Sequence, residues 1–67
     1  MTTSVGEDFP KQQKRCRELL EQYKAIGPAG QFAYSMISQA LGRAEQAAIS
    51  GDVVAILRSY QELRGFE

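Results

Sequence analysis

The chain has 67 residues, eight basic and eight acidic side chains, no histidine and a single cysteine. That length holds one core, Cys16 alone excludes an intrachain disulfide, and a zinc site would have one good ligand at best. A neutral balance is not that of a nucleic-acid binder. No metal and no cofactor are expected.

Small single-core chains are usually completed by a staple, by very regular packing or by a partner subunit. With hydrophobic residues at 43% of so short a chain, oligomerisation is the expected route. No apolar run reaches membrane-spanning length and no signal peptide is visible, so a cytoplasmic location is expected.

Residues 1–7, MTTSVGE, are polar and without pattern, and read as a flexible N-terminal tail ahead of a single helical domain over residues 8–67. Asp8 is a candidate N-cap, and Pro10 fits the first helical turn, where a missing N–H costs nothing. Cys16, Leu19, Leu20, Tyr23 and Ile26 follow the three-and-four spacing of one helix face. Gly27 suits a left-handed cap and Pro28 blocks simple continuation, so the first helix is expected over residues 9–26. Residues 11–24 carry five basic against two acidic side chains, a local +3. Lys14 and Glu18 stand at the spacing of a helix-surface pair.

The second helix is expected in AGQFAYSMISQALGRAEQAAIS, with Phe32, Met36, Ile37, Leu41, Ala44 and Ala48 as its apolar stripe. Gly42 costs roughly 1 kcal/mol against Ala inside a helix and marks either a close contact or a bend. Ser50, Gly51 and Asp52 form a turn in which Gly51 ends one helix and Asp52 caps the next. Val53, Ile56, Leu57, Tyr60 and Leu63 form the face of the third helix, Val54 is left over, and Gly65 ends it with Phe66 free to fold back. The expected fold is all-α: three helices in a small antiparallel bundle, completed by oligomerisation.

The connection IGPAG has one glycine more than a turn requires. Gly27 and Pro28 suffice to close one helix and redirect the chain. Gly30 falls at the mouth of the second helix, where unpaired N–H groups suit an anion and a missing side chain lets a ligand approach Gln31 and Phe32. Lys24, one turn upstream, supplies charge. Tyr34 lies off the apolar stripe and offers a ring with a polar tip for stacking. Arg17 and Arg43 complete the candidate ligand-binding set of Lys24, Gly27, Gly30, Gln31, Phe32, Tyr34, Arg17 and Arg43. The competing reading of IGPAG is a turn and nothing more. The basic run KQQKRCR reads either as solvated surface or as a rim that steers an anion. Cys16 lies on an apolar stripe and reads as inert core. With no histidine, no nucleophile beside a base and no carboxylate pair on a cleft, the chain does not read as an enzyme.

Gly27–Gly30 with Phe32, the pair Met36 and Ile37, and the run SGDVV at residues 50–54 together resemble a family of small open reading frames in phages and prophages of Pseudomonas and related bacteria. The resemblance covers roughly residues 8–64, and Ala33 and Tyr34 stand where that family is expected to have small residues such as Gly-Ala. It implies a phage-encoded protein in the host cytoplasm. Small phage proteins commonly act by binding, so the function implied is antagonism of host antiphage defence. One mechanism is an oligomeric sponge for a cyclic or linear nucleotide messenger. The alternative is a protein–protein inhibitor that docks an exposed helical face on a host factor.

Overall fold

The computed structural model describes residues 4–66, and these contain three α-helices and no strand. Helix α1 spans Val5–Ile26, a 3₁₀ turn takes Gly27–Gly30, α2 spans Gln31–Ser50 and α3 spans Val53–Arg64. Residues 1–3 of the expected tail, and Glu67, lie outside the described residues.

The first helix starts earlier than expected. Its N-cap is Ser4, not Asp8: the Ser4 hydroxyl accepts from the Glu7 amide at 3.2 Å, and Val5 to Glu7 are helical. Pro10 therefore sits in the second turn, inside the helix. Its missing donor leaves the carbonyl four residues back, on exposed Gly6, to solvent. Asp8 is freed for another task. Its carboxylate accepts from the Tyr60 hydroxyl at 2.6 Å and from the Gln12 amide at 3.1 Å.

The other helix boundaries follow the local signals. Gly51 (φ 71°, ψ 12°) takes the left-handed helical conformation, whereas Gly27 (φ 85°, ψ −142°) ends α1 outside the left-handed cap expected of it; both have a positive φ, which side chains disfavour. Asp52 caps α3 by accepting from Val54 N–H at 3.0 Å and Ala55 N–H at 3.3 Å.

Helix α2 runs antiparallel to both neighbours, and α1 and α3 lie side by side and parallel. The pairings Asp8 with Tyr60 and Arg15 with Leu63 and Phe66 set that direction. The core joins Phe9 and Cys16 of α1, Ile37, Ala40 and Ala44 of α2, and Leu63 of α3. Leu19, Leu20, Tyr23, Leu41, Ile56, Tyr60 and Phe66 pack around it, so Phe66 does fold back.

The apolar stripe of α2 differs from the expected one. Ile37, Ala40, Ala44 and Ala47 are buried, whereas Phe32, Met36 and Ala48 are exposed. The helix is turned by about one residue, because alanines let two neighbouring helices come close. On α3, Ser59 and Leu63 are buried while Val53 and Leu57 are exposed.

The basic run also divides. Arg15 is half-buried and donates to the Leu63 and Phe66 carbonyls, both at 2.7 Å, while Lys11, Lys14 and Arg17 are exposed. The ion pair among the described residues is Arg43 with Glu62, at 2.9 Å; Lys14 and Glu18 do not pair.

Asp52→Ala should lower stability by about 0.5–2 kcal/mol, read as a shift in the denaturation midpoint. The Tyr60 and Gln12 hydrogen bonds hold the Asp8 carboxyl below its usual value, and the Asp8 bond holds the Tyr60 phenol above its own. The Asp8 contribution is thus present above about pH 4 and lost as pH falls through its lower folded value. The Tyr60 contribution is present below about pH 10 and lost as pH rises through its higher folded value. Tyr60→Phe should weaken the pH dependence of the melting temperature at both ends, and an unchanged profile would show that the bond does not form in solution.

Candidate functional site

The corner between α1 and α2 turns on Gly27, whose N–H donates to the Lys24 carbonyl. Pro28 is the second residue of the 3₁₀ turn. The corner frames a cleft of about 370 Å³ lined by Tyr23, Lys24, Gly27, Pro28, Gln31 and Tyr34. Four of the eight residues singled out in the sequence meet here: Lys24, Gly27, Gln31 and Tyr34. Lys24 and Gln31 are exposed, and Tyr34 is half-buried. One ammonium, one carboxamide and two tyrosines suit a planar ligand with negative charge. The amine and amide donate hydrogen bonds, and the rings offer stacking surface.

Gly30 is not part of that opening. It is buried at φ −92° and ψ −2°, a backbone that needs no glycine. A Cβ there would run into the carbonyl oxygen of Tyr23, with the carbonyl carbon 3.1 Å and the Cα 3.2 Å away. The missing side chain thus admits the backbone of α1. The Gln31 amide at the start of α2 donates to the Pro28 carbonyl. At the helix mouth expected to hold an anion, the Gln31 donor is therefore already taken and the side of Gly30 is occupied by Tyr23 backbone.

The remaining members of the set are dispersed. Phe32 is 77% exposed and lines a separate apolar cleft of about 380 Å³ with Met36, Ile37 and Phe66. Arg17 is exposed on α1 and borders neither cleft. Arg43 lies on a third concavity, a groove of about 900 Å³ between α2 and α3. Its guanidinium is already engaged by Glu62, with contacts of 3.2 and 2.9 Å. Sequence reasoning gave Tyr23 a core role only, and it missed the α2–α3 groove with Arg58, Gln39 and Gln46. The spacing of residues 39, 43 and 46 was the available signal.

Cys16 is fully buried with its Sγ 3.5 Å from the Leu63 carbonyl, and burial pushes its thiol pKa up. A buried thiol of that kind is a poor nucleophile. Among the described residues no three acidic or cysteine side chains gather as a metal ion would need. No helix among them is long and apolar enough to cross a membrane. No protein-family model, curated protein or solved structure matches the chain.

The Gly30 contact is testable without a ligand. Gly30→Ala should destabilise the fold by about 1–3 kcal/mol, since the methyl group must displace backbone and not a pliant side chain. Chemical denaturation measures it. A neutral or stabilising substitution would mean that α1 and α2 do not approach this closely.

Proposed function

We propose that this chain is a non-catalytic, phage-encoded binding protein that antagonises host antiphage defence as a homo-oligomer, by sequestering a small anionic ligand of the nucleotide class at the α1–α2 corner. The observation that carries the ligand assignment is the meeting of Lys24, Gln31, Tyr23 and Tyr34 on one cleft. Phosphate charge suits the ammonium, and a base suits the tyrosines. At about 370 Å³ the cleft lies at the small end of ligand sites. A nucleotide would leave it on the open side, so another subunit of the assembly supplies the missing wall. The phage setting rests on the resemblance carried by Gly27–Gly30 with Phe32, by Met36 with Ile37, and by residues 50–54.

A protein–protein inhibitor is the second reading, and one observation favours it. Phe32 stands almost free beside exposed Met36 over an apolar cleft, an arrangement that suits a hydrophobic anchor from a host factor.

Calorimetric titration with cyclic dinucleotides and linear nucleotides separates the two. Lys24→Ala and Tyr34→Ala are exposed or half-buried changes that should keep the helical signal and weaken binding by roughly tenfold or more. If no nucleotide binds, or both variants bind as well as the parent, the ligand reading fails. Capture of a host protein that is lost in Phe32→Ser would then support the inhibitor.

A further inference from the structure

Helix α2 carries two seams of the same pitch. Ala33, Ile37, Ala40, Ala44 and Ala47 recur in steps of four and three and face α1 and α3. One position back, Phe32, Met36, Gln39, Arg43, Gln46 and Ser50 recur in the same steps, and every one of them is exposed. Steps of four and three are what one helix needs to lie along another. Gln39, Arg43, Gln46 and Ser50 of the second seam form one wall of the groove of about 900 Å³, and Val54 and Arg58 of α3 form the other.

Gly42 lies on that groove and nothing inside the chain accounts for it. It is exposed, the positive-φ glycines are Gly27 and Gly51, and apart from its own helix backbone and chain neighbours no atom lies within 4 Å of the place a Cβ would take. A glycine in mid-helix costs about 1 kcal/mol against alanine. Gly30 shows what such a position does in this protein: it admits a neighbouring backbone. At Gly42 the corresponding space stands open.

We infer that the α2–α3 groove is the self-association face, and that two copies meet through it with their α2 helices antiparallel, crossing about a two-fold axis between Gly42 and Arg43. Under that operation one pair of the seam maps onto itself, and its other members meet residues beside the seam. Gln39 of one copy falls opposite Gln46 of the other, and Ser35 opposite Ser50. Amides and hydroxyls both donate and accept, so each pair satisfies itself. Gly42 falls opposite Arg43 and leaves room for its stem, while the Glu62 carboxylate beside each Arg43 offsets the charge. Exposed Phe32 and Met36 at one end of α2 approach exposed Ile49 and Val53 at the far end of the other copy's hairpin. The size also fits. A helix of 20 residues is about 30 Å long and a helix pair about 20 Å wide, a footprint near 600 Å². Specific stable interfaces cover about 600–1,000 Å² on each partner, so this footprint stands at the lower end of that range.

This inference specifies the assembly in the proposed function and is independent of the ligand. Gln39→Cys and Gln46→Cys are exposed changes to be made in separate preparations of the full chain, with Cys16 left buried. Mixed under mild oxidation, the two should give a cross-linked dimer, because a disulfide needs Cα atoms within about 7 Å. Each alone should stay largely uncross-linked. Gly42→Leu should remain helical and convert the assembly to monomer by light scattering. An assembly that survives Gly42→Leu, or that cross-links Gln39→Cys to itself in preference to Gln46→Cys, overturns the inference while leaving the oligomer intact. A parent chain that is monomeric at micromolar concentration overturns both the inference and the assembly in the proposed function.

Discussion

The guanidinium of Arg15 ties the two ends of the chain together. It donates to the carbonyls of Leu63 and Phe66, residues 48 and 51 positions away, and takes the Gln12 side-chain oxygen at 2.9 Å. Helix α3 has 12 residues, a length that is marginal in isolation. Its last carbonyls have no partner within the helix, and the macrodipole leaves them negative. A cation from α1 meets both needs at one point. Tyr60 to Asp8 provides a second clasp, supported by the edge-on contact of the Phe9 and Tyr60 rings at 6.5 Å. Two points fix a line, so α3 is held parallel to α1 with Leu63 turned into the core. Which faces are left bare is decided by the same constraint.

The core so enclosed is thin. Ile37, Leu63, Cys16 and Phe9 are its large members, and Ala40, Ala44 and Ala47 fill the rest. Burying a large apolar side chain contributes about 1.5–3 kcal/mol, whereas an alanine methyl contributes far less. Alanines give close helix approach instead of area. The fold therefore leans on its caps and clasps more than a larger domain would. It also leaves Phe32, Ile49, Val53 and Val54 more than half exposed. Apolar side chains missing from the inside of so small a chain remain available on its outside.

The parts of this fold that were legible in the sequence are those set by one residue and its immediate neighbours. Gly27, Gly51 and Asp52 each act within a turn of helix, and each appears where the pattern puts it. The start of α1 was misread although its signal was present: Ser4 and Glu7 have the spacing of a capping box, but Asp8 next to Pro10 makes a competing start. The phase of α2 was hidden for a different reason. Two seams one residue apart both satisfy helical spacing, and size favours the one with Phe32 and Met36. The approach of α1 and α3 selects the alanines instead, and that is a tertiary fact. Arg15 looks like any surface cation until the end of α3 is beside it. At the candidate site, the join of Lys24, Gln31 and Tyr34 was readable because one short turn brings them together. Arg17 and Arg43 depend on how whole helices lie, and they fall elsewhere.

Three glycines differ in what the missing side chain does. Gly27 supplies a dihedral, Gly30 admits the chain's own backbone, and Gly42 stands open. The first two build the corner proposed to face a ligand; the third lies on the face inferred to meet a second copy. Those surfaces do not overlap, since Tyr34 lies on the flank of α2 turned away from Phe32 and Gln39. A two-fold crossing through Gly42 puts the two corners at opposite ends of the α2 pair, roughly a helix length apart. Such a dimer leaves each corner cleft open. The second wall that a nucleotide would need must then come from a further contact, and the exposed Ile26 beside Gly27 is the apolar residue at hand for it. The ligand reading and the self-association face are thus compatible only in an assembly larger than two.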